Sequence, residues 1–138
     1  MTARPLRGDP GRSEPATAVG ALSDAFAARD PAAALACFAP GDDIGYAGSE
    51  RAETATGRAA VTALLTGVLG RDEAYSWRAT SVTVHRHGTS AYVFAEADGS
   101  VRTDAGDTDT FAYRVSGLVE RVGDRWLWRH CQGGEPTS

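Results

Sequence analysis

The sequence predicts an α+β domain in which N-terminal helices pack on a strongly bent, mixed but mostly antiparallel β-sheet. Two observations set the class. In the first half, apolar residues recur at helical spacing in three stretches; the second half carries four long stretches of strand character divided by turn residues. A third observation sets the bend. Tyr75 and Trp77 share one strand face, whereas Val82 and Val84 share the other. A bulge near residues 79–81 reconciles the two parities and curves the sheet. Helices followed by consecutive strands form an α+β layer, and a bent sheet over helices encloses a cone-shaped cavity.

The elements follow in order. Residues 1–14 carry Pro5, Pro10 and three arginines with few apolar side chains, and are expected to form a disordered tail. Residues 15–138 are expected to form one domain. Ser13 is placed to cap the first helix, with Glu14 and Pro15 in its first turn and Val19, Leu22 and Phe26 on its buried face. Asp30-Pro31 restarts the chain as a cap followed by proline at the first helical position, with Leu35 and Phe38 buried. Residues 43–47 and 53–56 read as short strands around the turn Gly48-Ser49-Glu50. Gly57 precedes a third helix over residues 58–69, whose stripe is Val61, Leu64, Leu65 and Val68 and which Gly70 closes. Strands are then predicted at 75–86, 90–97, 110–120 and 125–132, with Gly133-Gly134 and Pro136 ending the last.

Composition narrows the function. The chain has 138 residues, a net charge of -4 and interspersed charges, which argues against a nucleic-acid surface. No apolar run is long enough for a membrane span and no secretory signal is visible, so a cytoplasmic protein is expected. All fourteen basic residues are arginine, which excludes lysine Schiff-base chemistry. Cys37 and Cys131 fit no disulfide framework. His85, His87 and His130 are candidates for a metal site, and Asp104, Asp107 and Asp109 superficially match a calcium loop; hairpin positions and missing ligand positions argue against both, and no metal or cofactor is expected.

The candidate site centres on the last strand. Simple alternation sets Trp126, Trp128, His130 and Gln132 on one face, with Leu127, Arg129 and Cys131 on the other. Two indoles followed by two hydrogen-bonding groups fit a cavity that is apolar at depth and polar at its mouth, or an ordinary core with a wet end. Glu96 lies mid-strand beside Tyr92 and Phe94, either as a cavity base or as an exposed cross-strand partner of Arg114. Tyr46 and Tyr113 are oxyanion donors or core residues with rim hydroxyls. Glu96 or Asp98 with Arg78 or Arg114 has permissive spacing for an acid–arginine cluster.

Several segments carry a resemblance. These are Ala28-Arg29-Asp30-Pro31, Gly48-Ser49-Glu50 with Glu53, Gly57-Arg58, Tyr75-Ser76-Trp77, Ala95-Glu96, residues 113–117 and residues 125–136. In this order they resemble the nuclear transport factor 2-like superfamily, in particular its SnoaL-like branch, over about residues 16–136. The resemblance implies a cystatin-like cone and a homodimer built on the sheet. It also implies kinship with ketosteroid isomerases, scytalone dehydratases, limonene epoxide hydrolases and polyketide cyclases, and with non-catalytic binders. The branch ends in His-Gly-Ser-Glu-Pro, where this chain has Gln132, Gly133, Gly134, Glu135 and Pro136, and His130, two positions before Gln132, is the candidate to take the place of the displaced histidine. The expected function is a cofactor-independent cyclase, isomerase, dehydratase or epoxide hydrolase of specialised metabolism, acting on a hydrophobic polyketide- or terpenoid-like substrate. Glu96 and His130 are assigned acid-base roles and Tyr46 and Tyr113 donor roles. Trp77, Trp126, Trp128, Gln132 and Arg114 are assigned to substrate binding. The alternative is a non-catalytic binding or dimerisation module.

Overall fold

A computed structural model describes residues 14–136. The expected tail over residues 1–13 and the cap at Ser13 lie outside the described residues. The elements are α1 (Thr17–Ala27), α2 (Pro31–Ala36), β1 (Gly45–Ala47), β2 (Thr54–Thr56), α3 (Arg58–Leu69), β3 (Glu73–His87), β4 (Ser90–Thr103), β5 (Thr108–Val122) and β6 (Arg125–Gly134). The described residues form a six-stranded sheet in the order β2-β1-β6-β5-β4-β3. The β1–β6 pairing is parallel and the other pairings are antiparallel. The helices cover its concave face, so the α+β cone and the chain order of its elements follow the sequence reading.

Helix starts show how local chemistry fixes the frame. Glu14 and Pro15 form a turn ahead of α1 rather than its first turn, with the amides of Thr17 and Ala18 donating to their carbonyls, both at 3.1 Å. Asp30 caps α2 as expected, its carboxylate accepting from the amide of Ala33 at 3.1 Å, and Pro31 follows at the first helical position. At α3, Asp42 reaches from the preceding loop to accept the amide of Arg58 at 2.8 Å. Such contacts satisfy amides that the helices cannot pair internally.

The core lies between the helices and the concave face. Leu22, Val61 and Leu65 are fully buried from the helix side; Val93, Ala95, Val115 and Val119 meet them from the sheet. Each large aliphatic side chain removed from water in this way contributes about 1.5–3 kcal/mol. Two indoles lock α1 to the sheet by donating to neighbouring carbonyls: Trp128 to Ala18 and Trp77 to Val19, both at 3.1 Å. Ser23, a buried polar residue of α1, adds a clamp on edge strand β3. Its hydroxyl donates to the carbonyl of Trp77 at 2.7 Å and accepts the amide of the same residue at 2.8 Å.

Two irregularities shape the sheet. The register of β3 on β4 shifts between Ala79 and Ser81, where the parity break in the sequence requires a bulge. The second irregularity overturns the simple alternation of β6. Val119 pairs with Trp128 while Leu118 pairs with His130, so Arg129 is an extra residue on β6. It is anchored at the bulge by a two-point ion pair to Glu120, with contacts of 3.0 and 3.2 Å, and by donation to the carbonyls of Pro40 and Asp43. Gly117 permits the close approach, because a Cβ there would overlap the carbonyl oxygen of His130. A bulge of one residue exchanges faces. Trp126 and Trp128 therefore point into the core, whereas His130 and Gln132 are exposed on the convex face.

Candidate functional site

A pocket of about 90 Å³ lies between the helices, the β1–β2 turn and the sheet. Its apolar wall is Phe26 of α1, Val68 of α3, Tyr75 and Trp77 of β3, and Phe111 and Tyr113 of β5. Its polar side is Tyr46 of β1, the β1–β2 turn with Ser49, Glu50 and Glu53, then Arg71 after α3, Ser76 and Glu135. The aromatic rings form a connected wall: Phe26 lies 5.1 Å from Trp77, Trp77 lies 5.4 Å from Tyr113, and Tyr113 lies 5.7 Å from Phe111.

Small residues make room for the functional groups. A Cβ at Gly48 would overlap the carboxylate of Glu53, and one at Gly133 would overlap the hydroxyl of Tyr113. The carboxylate of Glu53 thus folds back across its own turn. It accepts the amide of Glu50 at 3.2 Å and the guanidinium of Arg71 at 3.4 Å. Its side chain is only 12% exposed, and Arg71 also reaches Glu50 at 3.9 Å. Two acids bridged by one arginine therefore line the pocket.

Tyr46 and Tyr113 supply the facing hydroxyls. Burial pushes the phenol of Tyr46 well above the usual tyrosine range; the neighbouring ionisable groups of Tyr113, Cys131 and Glu53 and a hydrogen bond to Tyr113 add to the effect. Burial also raises Tyr113, helped by the neighbouring ionisable groups of Cys131, Glu53 and Glu135, against the opposing hydrogen bond from Ser49. Both therefore keep their protons at neutral pH and act as hydrogen-bond donors. A carboxylate able to take a proton thus shares a small cavity with phenols able to stabilise developing negative charge on oxygen.

The sequence-predicted residues divide sharply. Tyr46, Tyr113 and Trp77 line the pocket. Trp126 and Trp128 are buried in the core and do not belong to its lining; Arg86 lies 5.1 Å over the ring of Trp126. Glu96 and Arg114 pair at 2.7 Å on the convex face, where each side chain is about half exposed. Arg78 and Asp98 make a second exposed pair at 3.7 Å. The expected acid–arginine pairs thus exist on the wrong side of the sheet, because Glu96 has the opposite parity to the buried Val93, Ala95 and Ala97. His130 and Gln132 are there too, for the reason of the β6 bulge. His85 and His130 lie on β3 and β6 with two strands between them, and Asp104 pairs with Arg29 at 3.0 Å. Among the described residues, no group of three or more His, Cys, Asp or Glu side chains is arranged to hold a metal ion.

Glu53 and Arg71 line the pocket without having been singled out as candidate site residues in the sequence, where Glu53 enters only beside Gly48-Ser49-Glu50. The available signal was Gly48, a residue without a side chain in a turn that holds two acids. Phe26 was taken only as core, and Phe111 and Glu135 gave no signal of their own.

The described residues form an α+β cone with an aromatic-walled pocket that three carboxylates also line. The chain belongs to the SnoaL-like domain family, which matches residues 16–135. Solved structures resemble it in fold at low identity. One is a proposed dehydratase of the NTF2-like family from Streptomyces avermitilis: TM-score 0.75, 14% identity, with 89% of this chain and 94% of that one covered. Another is a proposed scytalone dehydratase from Novosphingobium aromaticivorans: TM-score 0.69, 18% identity, with 84% and 77% covered. A third is a ketosteroid isomerase-like protein from Erwinia carotovora atroseptica: TM-score 0.67, 21% identity, with 94% and 99% covered. At these identities the likeness establishes the fold alone. Among curated proteins none matches the chain. No helix among the described residues is long and apolar enough to cross a membrane.

Proposed function

We propose that this protein is a cofactor-independent enzyme that moves protons on a compact, ring-bearing substrate, as in dehydration or isomerisation. The observation that carries the reading is the nearly buried Glu53 carboxylate in the same cavity as the hydroxyls of Tyr46 and Tyr113. Glu53 is the base. Arg71 and the amide of Glu50 fix its orientation, which reserves its remaining lone pairs for the substrate. Tyr113 donates to the substrate oxygen on which negative charge develops, and Tyr46 orients Tyr113 from behind. In a dehydration, Glu53 removes a proton beside an activating carbonyl, the electron pair forms the C=C bond as the C–O bond breaks, and the protonated Glu53 gives the same proton to the departing hydroxyl, which leaves as water and restores the carboxylate. In an isomerisation, Glu53 returns the proton to a different carbon. The dehydratase and isomerase names of the structural relatives support these reaction classes. The test is a substrate screen with the wild type, followed by Glu53→Gln beside Glu96→Gln. Loss of turnover in the second variant but not the first would overturn the assignment.

A homodimer through the convex face is part of the same proposal. Register brings Tyr92 of β4 beside Leu118 of β5, with His85 and His130 continuing the row, and the two apolar side chains are 46% and 42% exposed. An exposed apolar pair amid polar neighbours suits a self-complementary contact. Sedimentation of Leu118→Arg should give a 14.4 kDa monomer where the wild type gives a dimer. A monomeric wild type at micromolar concentration would contradict this.

A further inference from the structure

The pocket combines two features that an uncharged apolar ligand does not require. Its wall is aromatic nearly throughout: Phe26, Tyr46, Tyr75, Trp77, Phe111 and Tyr113 all line it. Aromatic faces carry negative quadrupole density and attract cations. Its polar side holds three carboxylates, Glu50, Glu53 and Glu135, against the single guanidinium of Arg71. Arg71 already contacts Glu53 at 3.4 Å and Glu50 at 3.9 Å, so it neutralises acids and offers little to an anionic ligand.

We propose that this pocket selects a substrate bearing a protonated amine on a compact ring, with the ring against the Trp77–Tyr113–Phe111 wall and the ammonium directed at Glu50 and Glu135. The inference rests on the reading of this pocket as the substrate site and adds to it the charge of the substrate. The phenols around the pocket report the same field. After burial, the charges of Glu53 and Glu135 are among the causes that raise Tyr113. After burial, Glu73 and then Glu50 raise Tyr75, and Arg71 only partly opposes them. A field that disfavours phenolate favours ammonium. The arrangement also fits the chemistry proposed for Glu53. An ammonium held by Glu50 and Glu135 leaves the Glu53 carboxylate directed at the ring and its neighbouring carbons.

The test uses three one-ring probes of similar size, benzylammonium, benzyl alcohol and benzoate, titrated calorimetrically into the full chain at pH 7. Benzylammonium should bind at least tenfold tighter than benzyl alcohol, with benzoate weakest. Glu135→Gln and Glu50→Gln alter exposed carboxylates and should each weaken benzylammonium severalfold while leaving benzyl alcohol unchanged. Added salt should weaken the ammonium alone. Ser49→Trp, at an exposed lining position, should block every probe that binds in the pocket. Equal affinity for benzylammonium and benzyl alcohol, with both lost in Ser49→Trp, would overturn charge selection and leave the pocket as the substrate site. Binding of none of the probes, or binding untouched by Ser49→Trp, would overturn both.

Discussion

Glu53→Gln should lower kcat by about 10²–10⁴-fold, the usual contribution of a positioned general base. The substitution keeps the shape of the side chain and removes only its capacity to take a proton. Arg71 is substantially exposed, at 40%, so losing its ion pair should cost less than about 1 kcal/mol of stability. Substrate affinity should therefore persist while turnover falls, the signature of an interaction that acts in the transition state. Glu96→Gln and His130→Ala, both on the convex face, should leave kcat within a factor of a few. An unchanged kcat in Glu53→Gln would remove the acid-base mechanism. Tight ligand binding by a wild type that turns nothing over would favour a non-catalytic binding module.

The largest stability effect should come from Trp128→Ala. This indole is completely buried beneath α1 and donates to the carbonyl of Ala18. Truncating a fully buried tryptophan leaves a cavity and typically costs about 3–5 kcal/mol. The lost hydrogen bond adds about 1 kcal/mol. That is a large part of the stability of a domain of this size, about 5–15 kcal/mol. Urea unfolding followed by far-UV circular dichroism measures the difference. Tyr92→Ala, an exposed aromatic on the opposite face, should change stability by no more than about 0.5 kcal/mol in a monomeric reference such as Leu118→Arg. A cost below about 1 kcal/mol for Trp128→Ala would show that this indole does not hold α1 to the sheet.

The fold was legible because its signals are local and repeated. The stripes of α1 and α3, the Asp30-Pro31 cap and the parity break at residues 79–81 each stand in the sequence and reappear in the structure. The candidate site was legible only in part. Tyr46 and Tyr113 were singled out as polar-tipped aromatics and Trp77 as an apolar wall, and all three line the pocket. The face of β6 was misassigned because alternation was carried through Arg129, where the register gains a residue. Gly117 was the trace of that bulge on the partner strand, and a glycine inside a strand is a known marker of one. Glu96 was chosen from its neighbours in sequence, although its partner across the sheet, Arg114, pointed to the exposed face. Glu53 was passed over because its surroundings come from Arg71, eighteen residues away, and from the turn that the β1–β2 pairing closes.

Ligands should enter the concave pocket and not the convex face. The three tryptophans report on this separately, since Trp77 lines the pocket while Trp126 and Trp128 lie in the core outside it. The direct measurement is a ¹⁵N–¹H spectrum of the whole protein during titration with benzylammonium and benzyl alcohol. The Trp77 indole signal and the amides of Tyr46, Ser49, Glu53 and Tyr113 should shift together, with Trp128 and His130 nearly still. Shifts centred on Tyr92, Leu118, His130 and Gln132, with the Trp77 indole unmoved, would contradict it.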